Sequence, residues 1–399
     1  MAQPSPPMPI DLLDGDFYAR DPFAAFRWMR ANAPIFWDEK NRLWGISRHA
    51  HVQEVAKAPQ LFCSGGGSRP DSPPIPSMIN MDDPMHRRRR ALVNRGFTPR
   101  RIEEQEQMAR AASRRLLDAV AARGACEWVH DVARHLPMIM IGDMLGVAEE
   151  DHEKLLQWSD DMLLGTNANA SPEARVAAMQ AGVAWITYHA QVVADRRAKP
   201  PGEDLISALI HAEIDGEKLD DEALRQEALL ILIGGDETTR HVLVGGLYEL
   251  LRNPQQKAAL VRDPSRIPTA IEEMLRWVTP IQNMNRSATR DLEFHGTKIR
   301  KGDKLLLLYP SANRDEAVFE EPDRFDCARD PNEHLAFGGY GPHFCLGASL
   351  ARLELRVMFE ELLAHFPDVE LASDAKPELR KSNFIVGFEK LPIRWNPRR

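Results

Sequence analysis

Cysteine is scarce in this chain: Cys63, Cys126, Cys327 and Cys345 are the only four in 399 residues, and no two form a CxxC pair. That excludes a disulfide framework and makes a structural zinc site a poor reading. Long apolar runs are also missing. No stretch approaches the roughly 18 uninterrupted apolar residues that a membrane-spanning helix needs. The proline-rich start "MAQPSPPMPI" has neither the basic nor the apolar region of a signal peptide, so a cytoplasmic protein is expected. Positive charge is not in excess: 51 Lys and Arg stand against 59 Asp and Glu, a formal net charge of −8. A general nucleic-acid binder is therefore not expected. Gly/Ser linkers and internal repeats are absent too. What remains is ordinary globular composition, 43% hydrophobic and 28% charged.

Most of the chain reads as helix. "IEEQEQMARAASRRLLDAVAAR" (102–123) carries helical charge pairs and ends near Gly124. "SPEARVAAMQAGVAWITYHAQVVADRRAK" (171–199) opens on an N-cap serine followed by proline and stops before Pro200. The longest candidate runs from Asp220 to Asn253, closed by Pro254; at 1.5 Å per residue it spans roughly 50 Å. Its middle, "ALLILIGG", is apolar all round and should be buried. Strand candidates are few: "LWGIS" (43–47), "LEFHG" with "TKIRKGDKLLLLY" (292–309), and the tail "NFIVGFEKLPIRW" (383–395). The fold class is mainly α with small peripheral β-sheets.

"HLAFGGYGPHFCLGASLARLE" (334–354) sets Cys345 between glycines before an apolar helix marked by Leu346, Leu350, Leu353 and Val357. A cysteine there meets unpaired N–H groups and the positive end of the helix dipole, which favour thiolate over thiol. Gly338, Gly339, Gly341 and Gly347 remove side chains, so that a flat, bulky group can approach the backbone. Such a thiolate suits a haem iron. A plain buried cysteine at a helix start has the same local pattern.

"GGDETT" (234–239) is a poor helix interior. Thr238 can hydrogen-bond back to the carbonyl of Gly234, loosening the ladder. A hydroxyl and the Glu237 carboxylate would then line a groove in an apolar wall, where a small polar ligand could receive protons; a glycine-facilitated helix crossing is the alternative. "EEMLR" puts Glu273 and Arg276 on one helical face, and "PDRF" (322–325) offers Arg324 as a second guanidinium for that carboxylate. In "HRRRR" (86–90), His86 and Arg90 can point at one anion while Arg87, Arg88 and Arg89 fan outward.

With "DDPMHRRRR", "GGDETT", "EEMLR", "PDRF" and "FGGYGPHFCLG" in this order, the chain resembles the cytochrome P-450 family of haem-thiolate monooxygenases. The resemblance runs from "FYARDPFAAFRWMRANAPIF" to the C-terminal strands. It implies a single domain over 1–399, with 1–15 as a flexible extension, and haem b between the long central helix and the cysteine-loop helix. Cys345 is then the axial thiolate, in a loop that also holds Phe337, Gly339 and Gly347. His86, Arg90, Arg286 and His343 match positions that tie down the haem propionates. Glu237 and Thr238 match the acid–alcohol pair that delivers protons during dioxygen activation, and Glu273, Arg276 and Arg324 match a structural triad. Phe337 lies eight residues before the cysteine where the family pattern has seven. Implied partners are O2 and a ferredoxin with its NAD(P)H-dependent reductase, docking at the arginines between Met85 and Ile102; a monomer is expected.

"LILIGGDETTRHVL", "EEMLRWVTPIQNM", "LPMIMIGDMLGV" and "MINMDDP" resemble bacterial enzymes that oxidise the terminal methyl of the cholesterol side chain. The pocket so implied draws on Ile75, Met78 and Ile79 before His86. The long helix adds Leu230, Ile233 and Gly234, and the sheets add Ile281, Met284 and Phe384. A fatty acid or macrolide-like substrate is the alternative; a haem-thiolate sensor or carrier is the alternative of another class. "LLGTNANASPEARVAA" (163–178) departs from the steroid enzymes where the family's substrate lid falls.

Overall fold

The computed structural model describes residues 5–165, 170–200, 202, 204–214 and 216–397, so Thr166 to Asn169 of the expected lid lie outside the described residues. Helices that position the site are, in chain order, α1 (His49–Lys57), α2 (Met85–Val93), α3 (Glu106–Ala121), α4 (His135–Leu145), α5 (His152–Gly165), α6 (Pro172–Arg197), α7 (Asp221–Arg252), α8 (Ile267–Val278) and α9 (Ala348–His365). The chain separates into two compact units, each assembled from three stretches. The first runs through Arg87 and adds Glu272–Cys345 and Leu379–Gly387; the second takes Arg88–Ile271, Leu346–Glu378 and the chain from Phe388 on.

The first unit is built on a five-stranded sheet of β1 (Ile35–Asp38), β2 (Leu43–Ile46), β3 (Phe62–Cys63), β4 (Asn283–Ala288) and β5 (Lys304–Leu308), in the order β1-β2-β5-β4-β3. Only the β5–β2 pairing is parallel. The continuous "LLLL" of β5 fits burial on both faces. Leu305 and Leu307 join one apolar cluster with Val52, Val55 and Phe62, while Leu306 and Leu308 join another with Leu12, Phe17 and Phe26. Over residues 8–13 that second cluster gives a packed segment where a flexible one was expected. Leu12 is fully buried, Met8 and Ile10 pack beside it, and the Leu12 amide donates to Asp38 Oδ2 at 2.8 Å. Apolar side chains at alternate positions give this segment a core to enter.

The second unit is helical. α7 starts where Asp220 Oδ1 accepts from the Ala223 amide at 2.7 Å and ends at Asn253, before Pro254. α6 is opened by Ser171, whose hydroxyl accepts from the Ala174 amide. The stretch 102–123 is not one helix: Pro99–Glu104 ends at Gln105 and α3 begins at Glu106. Arg110 Nη1 binds Glu361 Oε1 at 2.8 Å and Arg356 Nη2 binds Glu106 Oε2 at 2.7 Å, tying α3 to α9. The C-terminal tail also divides. Ile385 makes a single bridge to Ile281, and Pro392–Arg394 pairs with Glu370–Leu371 on one side and Ala125–Glu127 on the other.

Candidate active site

The cysteine loop closes on itself. The Cys345 amide donates to the Phe337 carbonyl at 2.9 Å, and the Phe344 amide to the Gly341 carbonyl at 2.9 Å. The eight-residue spacing is taken up by a turn with two left-handed residues, Gly338 (φ +97°) and Tyr340 (φ +59°). Tyr340 is exposed and stacks on Phe344 with ring centroids 5.2 Å apart. Phe337 sits between His334 and Phe344, 5.9 and 6.3 Å away, and Cys345 is exposed. Two of the glycines have a different reason from the one expected. A Cβ on Gly339 would lie 2.6 Å from the Ala56 Cβ, and one on Gly341 would overlap the Ala56 carbonyl. These glycines let the loop lie against α1. Around Gly347, by contrast, the nearest atom would be Phe97 Cε1 at 3.9 Å, leaving room beside the backbone.

His86, His343 and Arg286 belong to the first unit, Arg89 and Arg90 to the second. His86, at the start of α2, lies against His343 with ring centroids 3.9 Å apart and ring planes tilted by 31°. Arg286 on β4 is buried, and its hydrogen bond goes to the neighbouring Asn285 carbonyl at 2.7 Å. Among the described residues no carboxylate pairs with it, and burial pulls its pKa down. Arg90 lies one turn beyond His86 on α2 and is half-buried. Arg89 does not fan outward: its Nη1 is drawn to the fully buried Glu227 at 3.2 Å.

In the second unit, α7 carries the acid–alcohol pair. Thr238 Oγ1 donates to the Gly234 carbonyl at 2.9 Å, the back-bond its position predicts. A Cβ on Gly234 would meet nothing within 4 Å, whereas one on Gly235 would strike Ile141 of α4 at 2.4 Å. One glycine therefore faces space and the other admits a helix. Glu237 departs from its expected setting. It is fully buried, not in an apolar wall but among charges: Arg240 pairs with it, and His241 Nε2 lies 3.0 Å from its Oε2.

The described residues thus include a loop-borne cysteine, a buried guanidinium without a carboxylate partner, two neighbouring imidazoles, and a back-bonded threonine beside a buried acid. The cytochrome P450 family profile matches residues 36–268 and 267–397. The chain belongs to the cytochrome P450 family. It is 50% identical over 390 residues to a steroid C26-monooxygenase of Mycobacterium tuberculosis, covering 97% of both proteins. It is 36% identical over 418 residues to a methyl-branched lipid omega-hydroxylase of Mycobacterium bovis, covering 98% of this chain and 97% of that one. Among solved structures, a P450 of Bacillus megaterium in complex with testosterone superposes with a TM-score of 0.86 at 33% identity, covering 94% of this chain and 98% of the other. A Mycobacterium marinum P450 in complex with pseudoionone gives 0.89 at 32% identity, with 97% and 99% covered.

This P450 is a haem monooxygenase, and its residues fit the cofactor. A buried arginine without a carboxylate is costly unless an anion joins it, and Arg286 is such a group. Haem propionates are anions of the right kind. The open space at Gly347 and the exposed Cys345 suit a flat iron-bearing ligand.

The structural triad needs one correction. Arg276 holds Glu273 through two bonds, Nε–Oε2 and Nη2–Oε1, both 2.7 Å, with both side chains fully buried. The second guanidinium is Arg329, whose Nε reaches Glu273 Oε2 at 3.1 Å. Arg324 points elsewhere, pairing with Glu321 at 2.6 Å on the surface, and only its carbonyl joins the network. The residue after the next loop turn was invisible to a motif reading that stopped at "PDRF".

The expected pocket residues divide by exposure. Met78 is buried, Ile79, Leu230, Ile233, Ile281, Met284 and Phe384 are half-buried, and Ile75 is exposed. Ile281 and Met284 pack on the core of the β-sheet. Sequence reasoning missed Arg69, whose guanidinium lies 4.3 Å from the Phe384 ring centroid. Its guanidinium pairs with Asp71 at 2.9 Å.

Proposed function

We propose that this P450 oxidises the terminal methyl of a steroid side chain, of the cholesterol or cholest-4-en-3-one type. The observation that carries the proposal is the 50% identity over 97% of the chain to a steroid C26-monooxygenase. When bound, thiolate-ligated haem supplies the cleavage of dioxygen and the insertion of one oxygen atom. The chain's part is to hold, orient and protonate. Cys345 is the thiolate, and His86, Arg90, Arg286 and His343 bind the propionates. Phe337, Gly339 and Gly347 shape the loop around them. Ile75, Met78, Ile79, Leu230, Ile233, Gly234, Ile281, Met284 and Phe384 give an apolar lining that orients a hydrocarbon and excludes water.

Thr238 has one hydroxyl proton and gives it to Gly234 O, so its lone pairs face outward as acceptors. It is set to receive a proton from one side and pass one on after rotation. Glu237 is the acid that resupplies it, and being paired with Arg240 and His241 it must loosen before it moves a proton. Electrons come from a small acidic ferredoxin served by an NAD(P)H-dependent reductase. Arg87 and Arg88, both exposed on α2, are better docking candidates than Arg89. Complementary charge there raises the association rate and is screened by salt.

Titration with cholest-4-en-3-one, followed by product analysis, tests the substrate. A high-spin shift with oxidation at the terminal methyl supports the proposal. No shift, beside a clear shift with a mid-chain or methyl-branched fatty acid, moves the assignment to the lipid hydroxylases.

A further inference from the structure

Behind Thr238 lies a cluster with more acids than bases. Arg240 Nη2 serves two carboxylates at once, Glu237 on its own helix and Asp160 Oδ1 of α5 at 2.9 Å. Arg240 is buried, yet its Nε has no hydrogen-bond partner. Asp236, one turn before Arg240 on α7, is fully buried, and neither of its oxygens meets a well-formed hydrogen bond. An orphan donor and two orphan acceptors thus sit four residues apart on one helix, the spacing at which Asp and Arg side chains meet.

Charged and titratable groups act on Asp236 from three helices. Arg240 and Glu237 come from α7, Asp160 from α5 and Glu354 from α9, while the Ser159 hydroxyl of α5 also faces it. On α4, Ile141 is the side chain that a Cβ on Gly235 would strike. Burial first, then the neighbouring acids, push the Asp236 carboxyl up to about 7, and burial pushes Asp160 up to about 6. Burial, and then the Asp236 charge, push the Glu354 carboxyl well above its ordinary value.

We propose that Asp236 is a positioning residue that competes with Glu237 for Arg240, so that its ionisation draws the guanidinium away and frees Glu237 to carry protons to Thr238. With Asp236 neutral, Arg240 is left to Glu237 and Asp160, the arrangement observed. Once Asp236 ionises, the unused Nε gains an acceptor on its own helix and the hold on Glu237 weakens. The proton released leaves through Asp160, whose side chain keeps 21% of its surface exposed. The proposal rests on Glu237 being the proton-carrying acid of a monooxygenase, but not on the steroid.

Two readouts test it. Infrared titration of the substrate-free enzyme should show a protonated-carboxyl band that disappears as pH rises through about 7, and Asp236→Asn should lack it. In turnover, product formed per electron should rise several-fold across the same range in wild type. It should stay flat and low in Asp236→Asn, and flat in Arg240→Lys, which keeps the charge but loses Nε. A missing infrared band in wild type, or a pH profile in Asp236→Asn that follows wild type, overturns the proposal. Loss of steroid turnover with the infrared result intact would instead implicate the substrate assignment.

Discussion

Among the described residues, two glutamate–arginine pairs at i, i+3 spacing are buried, and they are built differently. Glu273 is saturated: Arg276 takes both oxygens, and Arg329, Asn332 and the Asp326 amide add bonds at 2.9–3.1 Å. Arg276 spends its remaining donors on the carbonyls of Asn313, Pro322 and Arg324. Glu237 is held by Arg240, whose guanidinium is shared with Asp160 and keeps an unused Nε, beside an Asp236 whose oxygens meet no well-formed hydrogen bond. A buried pair with every donor and acceptor filled has one arrangement and acts as a rivet. A pair with a spare donor and a competing acid leaves room for a second arrangement, which is what the proposed proton carrier at Glu237 requires.

The comparison can be broken most severely at the rivet. Arg276→Ala leaves Glu273 charged and partly unpaired, and should cost about 3–5 kcal/mol, read from urea denaturation midpoints. A loss below about 1 kcal/mol would place Glu273–Arg276 among weakly coupled surface-type pairs.

Asp236 sharpens the other side. Its folded pKa is raised, from 3.8 to about 7, so the fold binds its proton more tightly than the unfolded chain does. Stability from this group is present in acid and is lost as pH rises from about 4 to about 7. Asp236→Asn removes that slope. Measured by urea denaturation at the two ends of this window, the variant should lose at least about 1.4 kcal/mol less than wild type, one pKa unit's worth. Equal slopes would mean that Asp236 is not the group holding the proton.

Thr238→Ala should change stability least, since it removes one back-bond worth about 1 kcal/mol or less. Its effect belongs to function: reductant is consumed while peroxide is released in place of hydroxylated product. Coupling as tight as wild type would show that proton delivery bypasses this hydroxyl.

The rivet and the proton pair were not equally legible in the sequence. Glu273 and Arg276 are neighbours on one helix face, and so are Glu237 and Arg240, because i, i+3 spacing is local. Asp220 as a cap, Pro254 as a stop and the Thr238 back-bond were readable for the same reason. Arg329 and Asp160 were not, since Arg329 reaches Glu273 and Asp160 reaches Arg240 through tertiary packing, 56 and 80 positions away. Gly339 and Gly341 misled in another way. A missing side chain records that something comes close, and here it is α1. Leu12 was misread because a proline-rich start was taken as a tail, although its apolar residues had a sheet face to cover.

The most direct test of the account is the yield of hydroxylated product per electron in Glu237→Gln, set beside its haem content and carbon monoxide spectrum. Glutamine keeps the shape of the side chain but cannot carry a proton. The account predicts full haem loading, an unchanged thiolate Soret band and a coupling yield that falls at least several-fold. An unchanged yield with the haem intact would contradict it, because the loosely held pair would then be structural like its counterpart at Glu273.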